Sequence, residues 1–256
     1  LPETDLALLV RAAQKAGEIA RNHWGKAPKV WHKPGQGPVS EADLEIDAAL
    51  HAILSPARPD YGWLSEETPD SSDRLSAERL FIVDPLDGTR AFLNGDRGFA
   101  HALAVARAGA VQTAVVFLPL LDKIYTAQAG RGAWLNGVSL AASTRTDPEG
   151  AQVLTGRPAL DPQHWAGTVP ALRRAYRPSL AYRLCLVAEG RFDAMLTLRD
   201  SWHWDIAAGA LVAQEAGARV SDSRGGALHF NILPPVAIGV LAAPPALHLA
   251  LTARLR

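Results

Sequence analysis

Phe81-Ile82-Val83-Asp84-Pro85-Leu86-Asp87-Gly88-Thr89 is the stretch around which the rest of the chain is organised. Leu80 to Val83 is a short apolar run of the kind that forms a buried strand. It stops abruptly at Asp84-Pro85, because proline cannot donate to a sheet ladder. Asp87 follows one tight turn later, so two carboxylates can face one point. Gly88 and Thr89 can then open a turn or helix whose N–H groups point at an anion. Paired carboxylates beside an anion site would repel the anion unless cations sit between them. Oxygen-rich, sulfur-free ligation favours magnesium or manganese over zinc. An Asp-Pro turn followed by an Asp helix cap would explain the same residues without any chemistry.

Three further acidic positions are candidates for the same site. Ser65-Glu66-Glu67 precedes the turn at Thr68-Pro69, where an acidic pair is commonly a solvated surface feature. Trp202-His203-Trp204-Asp205 places Asp205 at the start of an Ala-rich helix, where Asp is a common cap. The flanking tryptophans favour a packed pocket there. Asp43, three residues after Ser40, fits a capping box and needs no catalysis to account for it.

Upstream, Leu6, Leu9, Val10, Ala13, Gly17 and Ala20 recur at helical spacing, and Gly25 and Pro28 end that helix. Residues 33–38, Lys-Pro-Gly-Gln-Gly-Pro, read as a loop. A second helix runs from Ser40 to about Leu54 and is closed by Pro56 and Pro59. Downstream, Ala100 to Ala106, Ala114 to Leu118, Lys123 to Ala127 and Gly132 to Leu135 are strand-like, with Asn136-Gly137 as a hairpin turn. The first half, residues 1–140, is therefore a helix pair plus a largely antiparallel sheet. The second half, residues 141–256, opens on a polar, turn-rich boundary at 141–150 and then alternates helices and strands. There, Gln152 to Thr155, Ala194 to Leu198, Ala218 to Val220 and Ile238 to Ala242 read as strands. Helices are expected over Gln163–Arg174, Leu180–Glu189 and Asp205–Ala216, with Gly217 as a C-cap, and a last one from about Pro245.

Composition narrows the field. The 256 residues are 48% hydrophobic and 20% charged, with 26 basic and 26 acidic residues, so disorder is excluded and no global field favours nucleic acid. The single cysteine, Cys185, rules out an internal disulfide and reads as a small core residue. A reducing, cytoplasmic setting is expected, and no apolar run is long enough to span a membrane.

Together, Asp84-Pro-Leu-Asp87-Gly-Thr89, Glu66-Glu67 and Trp204-Asp205-Ile-Ala-Ala-Gly209 resemble the inositol monophosphatase superfamily of magnesium-dependent, lithium-sensitive phosphatases. Leu184-Cys-Leu-Val-Ala-Glu-Gly190 and Gly130-Arg-Gly-Ala-Trp-Leu-Asn-Gly137 are similar to that family's segments too, in the right order over about residues 5 to 222. The resemblance implies an α/β (α+β) fold of layered αβαβα type, with the site between the two halves. It implies that Glu66, Asp84 and the Leu86 carbonyl hold one magnesium, and that Asp84, Asp87 and Asp205 hold a second. Two or three ions per site are expected, with manganese as a substitute. Gly88 and Thr89 would bind the substrate phosphate, alongside Leu86, Asp87 and Asp205. Asp43, Glu66 and Thr89 would be catalytic, orienting and deprotonating an attacking water, and Lys33 matches a loop lysine near the metals. The implied partner is a small phosphorylated metabolite, and a homodimer is compatible with the family.

Two departures bear on substrate. Thr89 is followed by Arg90, which looks more like the 3'(2'),5'-bisphosphate nucleotidase branch than the inositol phosphatases. The Glu that grips inositol hydroxyls, about seven residues before the Asp of Trp-Asp, is missing from Thr197-Leu198-Arg199-Asp200. Arg90 or Arg199 would suit a second phosphate, so adenosine 3',5'-bisphosphate is the expected substrate. Inositol 1-phosphate or another small phosphomonoester is the alternative, and a catalytically dead phospholigand-binding protein is the non-enzymatic one. No Asp-x-Asp pair, nucleophile elbow or P-loop is present to support other hydrolytic mechanisms.

Overall fold

Helical amphipathicity builds the first layer. α1 (Asp5–His23) is capped by Thr4, whose hydroxyl accepts from the Ala7 N–H at 3.2 Å. It buries Leu8, Leu9, Ala12, Ala13 and Ala16. The structure, a computed structural model, describes residues 3–33 and 37–256. β1 (Val30–Lys33) and β2 (Gly37–Ser40) pair as an antiparallel hairpin, with Val30 opposite Ser40. Of the loop expected over residues 33–38, Lys33, Gly37 and Pro38 belong to strands, and residues 34–36 lie outside the described residues. α2 (Glu41–Ala57) then packs beside α1 and buries Ile46, Leu50 and Leu54.

β3 (Gly62–Ser65) lies parallel to β4 (Arg79–Asp87), which leads through the short α3 (Thr89–Leu93) into β5 (Ala100–Arg107). β6 (Ala110–Leu118), β7 (Lys123–Gln128), β8 (Gly132–Leu135) and β9 (Val138–Ser139) continue an antiparallel meander. The seven strands are arranged in sequence order in one sheet. Alternation along them divides two cores: Phe81, Val83, Leu103 and Val105 face α1 and α2, whereas Leu80, Ile82, Ala102 and Ala104 face the other side.

β10 (Gln152–Thr155), β11 (Arg173–Ala175), α4 (Leu180–Ala188), β12 (Ala194–Thr197), β13 (Ser201–Trp202) and α5 (His203–Glu215) follow. β14 (Arg219–Ser221), β15 (Val236–Ala237), β16 (Val240–Ala243) and α6 (Pro245–Thr252) complete the chain. The second sheet runs β11-β10-β12-β16-β14, parallel around β10 and antiparallel around β16. α4 and α5 fill the space between the two sheets. They cross closely at Gly209, where a Cβ would come within 2.8 Å of Leu184 Cβ. α6 and Trp165 cover the far face of the second sheet. The layers therefore run αβαβα, and Cys185 is buried in the central one.

Two local expectations are corrected. Residues 163–174 do not form a helix: 3₁₀ turns at Arg157–Leu160 and Pro162–His164 lead into an irregular segment and then β11. Pro170 has no N–H to give a helix, and Trp165 is drawn wholly into the core, its indole N–H bonded to the Ala159 carbonyl at 3.0 Å. β4, in turn, does not end at Asp84. It continues to Asp87 across an irregularity: Asp84 pairs with Ala102 and Asp87 with Ala100, so Pro85 and Leu86 together oppose His101. A bulge lets the strand absorb a proline that a regular ladder would reject.

Candidate active site

The bulge fixes where the first carboxylates point. Within it the Leu86 N–H donates to Asp84 Oδ1 at 2.9 Å, leaving Asp84 Oδ2 wholly buried without a hydrogen-bond partner among the described residues. Asp87 is gripped from the second half of the chain. Its Oδ2 accepts from the Ser179 hydroxyl at 2.6 Å and from the Ala181 N–H at 2.8 Å, at the N-terminus of α4. Asp205 lies in the first turn of α5, two residues inside it, so it is not the N-cap. Oxygen atoms of Asp84, Asp87 and Asp205 all lie within 4.8 Å of one another. Trp202 and Trp204 stack on each other at 4.8 Å beside Asp205, as a packed pocket requires.

Such a cluster is electrostatically uncomfortable without cations. Burial, and then the Glu66, Asp87 and Asp205 carboxylates, push Asp84 well above the usual carboxylate range. Burial, then Asp205 and Glu67, does the same to Glu66. Asp205 is pushed up to about 7 by burial and by Asp87. Asp87 is raised by burial, with Ser179 and Ala181 pulling the other way. A buried carboxylate oxygen without a partner, among carboxylates at ligand spacing, is the arrangement a hard divalent cation satisfies.

Asp43 does two jobs at once. Its Oδ2 accepts from the Ser40 N–H at 2.8 Å and the Ser40 hydroxyl at 2.5 Å, closing the capping box of α2. Its Oδ1 accepts from the Thr89 hydroxyl at 2.8 Å. The cap is real, and it leaves the second oxygen to orient Thr89. Gly88 adopts φ +104°, a conformation open to glycine, and sets the turn into α3.

These groups border a cleft of about 640 Å³. Glu66, Asp84, Leu86, Asp87, Gly88, Thr89, Arg90, Arg199 and Asp205 all line it, while Asp43 sits behind Thr89. Lys33 ends β1, and its side chain lies outside the described residues. Several residues absent from the sequence-based set complete the picture. Tyr176, Pro178, Asp200 and Trp202 line the cleft, and Ser179 anchors Asp87. Ser179 carried a legible signal, since a serine immediately before an apolar helix is a preferred N-cap. Tyr176 and Pro178 follow a segment whose fold the periodicity did not reveal, whereas Asp200 and Trp202 lie in the stretches already quoted around Arg199 and Asp205.

The profile of the inositol monophosphatase family matches residues 2–256. The inositol-1-monophosphatase of Rhizobium meliloti is 38% identical, the match covering 86% of each chain. The Nus factor SuhB of Pseudomonas aeruginosa is 36% identical, again over 86% of each. The solved structure of the Thermotoga maritima IMPase superposes with a TM-score of 0.83 at 27% identity, covering 97% of this chain and 95% of that one. The fold and the acidic cleft define a metal-dependent phosphatase. The chain belongs to the inositol monophosphatase family.

Proposed function

We propose that the protein hydrolyses a small inositol-type monophosphate at the Asp84–Asp87–Asp205 cluster, with magnesium as cofactor and manganese as a substitute. The observation that carries the catalytic part is Asp84 Oδ2, buried without a partner among the described residues and set among carboxylates at ligand spacing, beside the Thr89–Asp43 pair. Glu66, Asp84 and the Leu86 carbonyl would hold one ion, and Asp84, Asp87 and Asp205 a second. Bound there, divalent cations polarise a phosphoryl oxygen and make water a better nucleophile near neutral pH. The chain's own groups do the rest. Gly88 and Thr89 N–H groups hold phosphate oxygens at the cleft wall. Asp43 takes the Thr89 proton as a hydrogen bond, so the Thr89 oxygen presents a lone pair that orients the attacking water. Glu66, once its charge is balanced, accepts that water's proton. Buried Cys185 and the absence of Asp-x-Asp fit direct attack by water without a phosphoenzyme.

The Rhizobium relative's name supports the inositol assignment over the nucleotidase expected from sequence. A second reading keeps the bisphosphate, because Arg90 and Arg199 both line the cleft and an Arg fork pairs well with a second phosphate. Side-by-side kcat/KM values for inositol 1-phosphate and adenosine 3',5'-bisphosphate, with magnesium, separate the two. A higher value for inositol 1-phosphate is expected. A bisphosphate preference that Arg199→Ala or Arg90→Ala abolishes would replace the first reading by the second.

A further inference from the structure

His101 is wholly buried on β5 and outside the cleft, directly opposite the bulge of β4. Its Nδ1 lies 2.5 Å from the Pro85 carbonyl oxygen. A carbonyl only accepts, so Nδ1 carries the proton and donates. Nε2 is buried without a partner among the described residues, in an aromatic pocket that includes Phe99 and Phe117. The same peptide unit is pinned at its other end, where the Leu86 N–H donates to Asp84 Oδ1 at 2.9 Å. One rigid, planar group is therefore clamped between an imidazole and a carboxylate. A peptide whose carbonyl is hydrogen-bonded also donates more strongly through its N–H.

We infer that His101 is a positioning residue, which holds the Pro85–Leu86 peptide so that Asp84 Oδ1 is occupied and Asp84 Oδ2 is presented to a cation. Three features favour this over simple core packing. The bulge takes Pro85 and Leu86 out of the regular β4–β5 pairing, and the imidazole supplies the bond the Pro85 carbonyl receives there. An apolar side chain would fill the pocket without the cost of a bare buried Nε2. The adjoining peptide bears the Leu86 carbonyl, 3.2 Å from the Thr89 hydroxyl, so the orientation of one peptide plane bears on the next group of the site. Second-layer partners of this kind commonly set metal affinity by 10- to 100-fold.

The inference rests on the metal assignment above, and the test separates the two. Manganese binding to the substrate-free protein is titrated by calorimetry for the parent, His101→Phe, His101→Leu, His101→Asn and Asp84→Asn, with circular dichroism in chelator to confirm folding. Phe and Leu keep an apolar filling but remove the donor, whereas the Asn side-chain amide returns an N–H at the Nδ1 position. The Phe and Leu variants are expected to bind manganese about 10-fold more weakly, and Asn to recover most of the loss. Their half-activating magnesium concentration should rise in step, with the substrate KM at saturating magnesium unchanged. Parent-like manganese affinity in a folded Phe or Leu variant, while Asp84→Asn loses binding, overturns the role of His101 alone. Asn binding as weakly as Phe overturns it too. Retained binding in Asp84→Asn instead removes the metal assignment. If neither apolar variant folds, a parent-like affinity in His101→Asn supports the inference and a weakened one overturns it.

Discussion

The Thr89 hydroxyl donates to Asp43 Oδ1 at 2.8 Å, across 46 residues of sequence. The partner oxygen of that carboxylate closes the N-terminus of α2, so the helix cap and the water-orienting threonine share one side chain. Loss of the hydroxyl should therefore damage turnover without unfolding the helix. Thr89→Ala is expected to lower kcat by about 10²–10⁴-fold, the usual scale for acid–base and orienting groups. Thr89→Ser should retain measurable activity, and both variants should bind manganese like the parent. A Thr89→Ala enzyme with parental kcat would reduce Thr89 to a structural residue.

Asp84 and Asp205 should separate under substitution. Asp84 sits where both ions would meet, so Asp84→Asn is expected to abolish phosphate release at any magnesium concentration. Asp205→Asn should leave the first ion in place, and part of its activity should return at high magnesium. A magnesium titration of both variants checks this, and substantial Asp84→Asn activity in ordinary magnesium would falsify the ligand assignment.

Cation affinity should climb with pH. Without metal, burial and Asp87 push the Asp205 carboxyl up to about 7, so below that pH a cation must displace a proton. Between pH 6 and pH 8 a single such proton makes half-saturation about tenfold easier. The metal-free protein runs the other way. A carboxyl raised in the fold holds its proton there better than in the unfolded chain, so this stabilisation fades as pH rises through 7. Measured against Asp205→Asn in chelator, the parent should thus lose Tm from pH 6 to pH 8, and its gain on adding manganese should be larger at pH 8.

On the acid side the buried histidines His101, His203 and His248 act in the opposite sense, and His101 is the one opposite the β4 bulge. Burial, opposed in part by the bond to Pro85, brings His101 down to about 4. The unfolded chain then takes a proton from pH 6.5 downward that the folded one refuses until about 4. Stability from this residue is full above 6.5 and lost as pH falls, amounting to about 2 kcal/mol at pH 5. Urea unfolding of parent and His101→Asn at pH 7.5 and pH 5 checks the sign: the variant should lose less stability between the two.

Most of the site was legible because the chemistry is concentrated in short, ordered motifs. Asp84, Asp87 and Thr89 lie within six residues, and the apolar run before them marks a buried strand whatever its neighbours do. The helix stripes of α1 and α2 were visible because one face of each meets a sheet, and α4 because an apolar run buried all round fills the space between the sheets. Residues 163–174 misled because Trp165, Val169 and Leu172 fall at helical spacing, while Pro170 and the burial of Trp165 decide the outcome through tertiary contacts. The strand through Pro85 was hidden because a bulge depends on the partner strand, which no local pattern records. His101 carried no signal at all. A histidine in an apolar strand acquires meaning only when register sets it opposite the carbonyl it serves.

The grip of Ser179 and Ala181 on Asp87 has a consequence for how the molecule comes apart. Asp87 belongs to the seven-stranded sheet and its donors to the start of α4, while Leu154, Met195 and Val240 of the second sheet share a core with Ile82 and Ala104 of the first. Because α4 and α5 pack on each other and on the first sheet, pulling that helix pair away would strip the cleft of Asp205 and leave Asp87 without its donors in a single event. Melting should accordingly be all-or-none, and a cut between residues 140 and 151 should give two insoluble fragments, not two working domains. The mouth of the cleft is bordered by Gly37 and Pro38 of β2, Gly37 lying beside the Arg90 guanidinium.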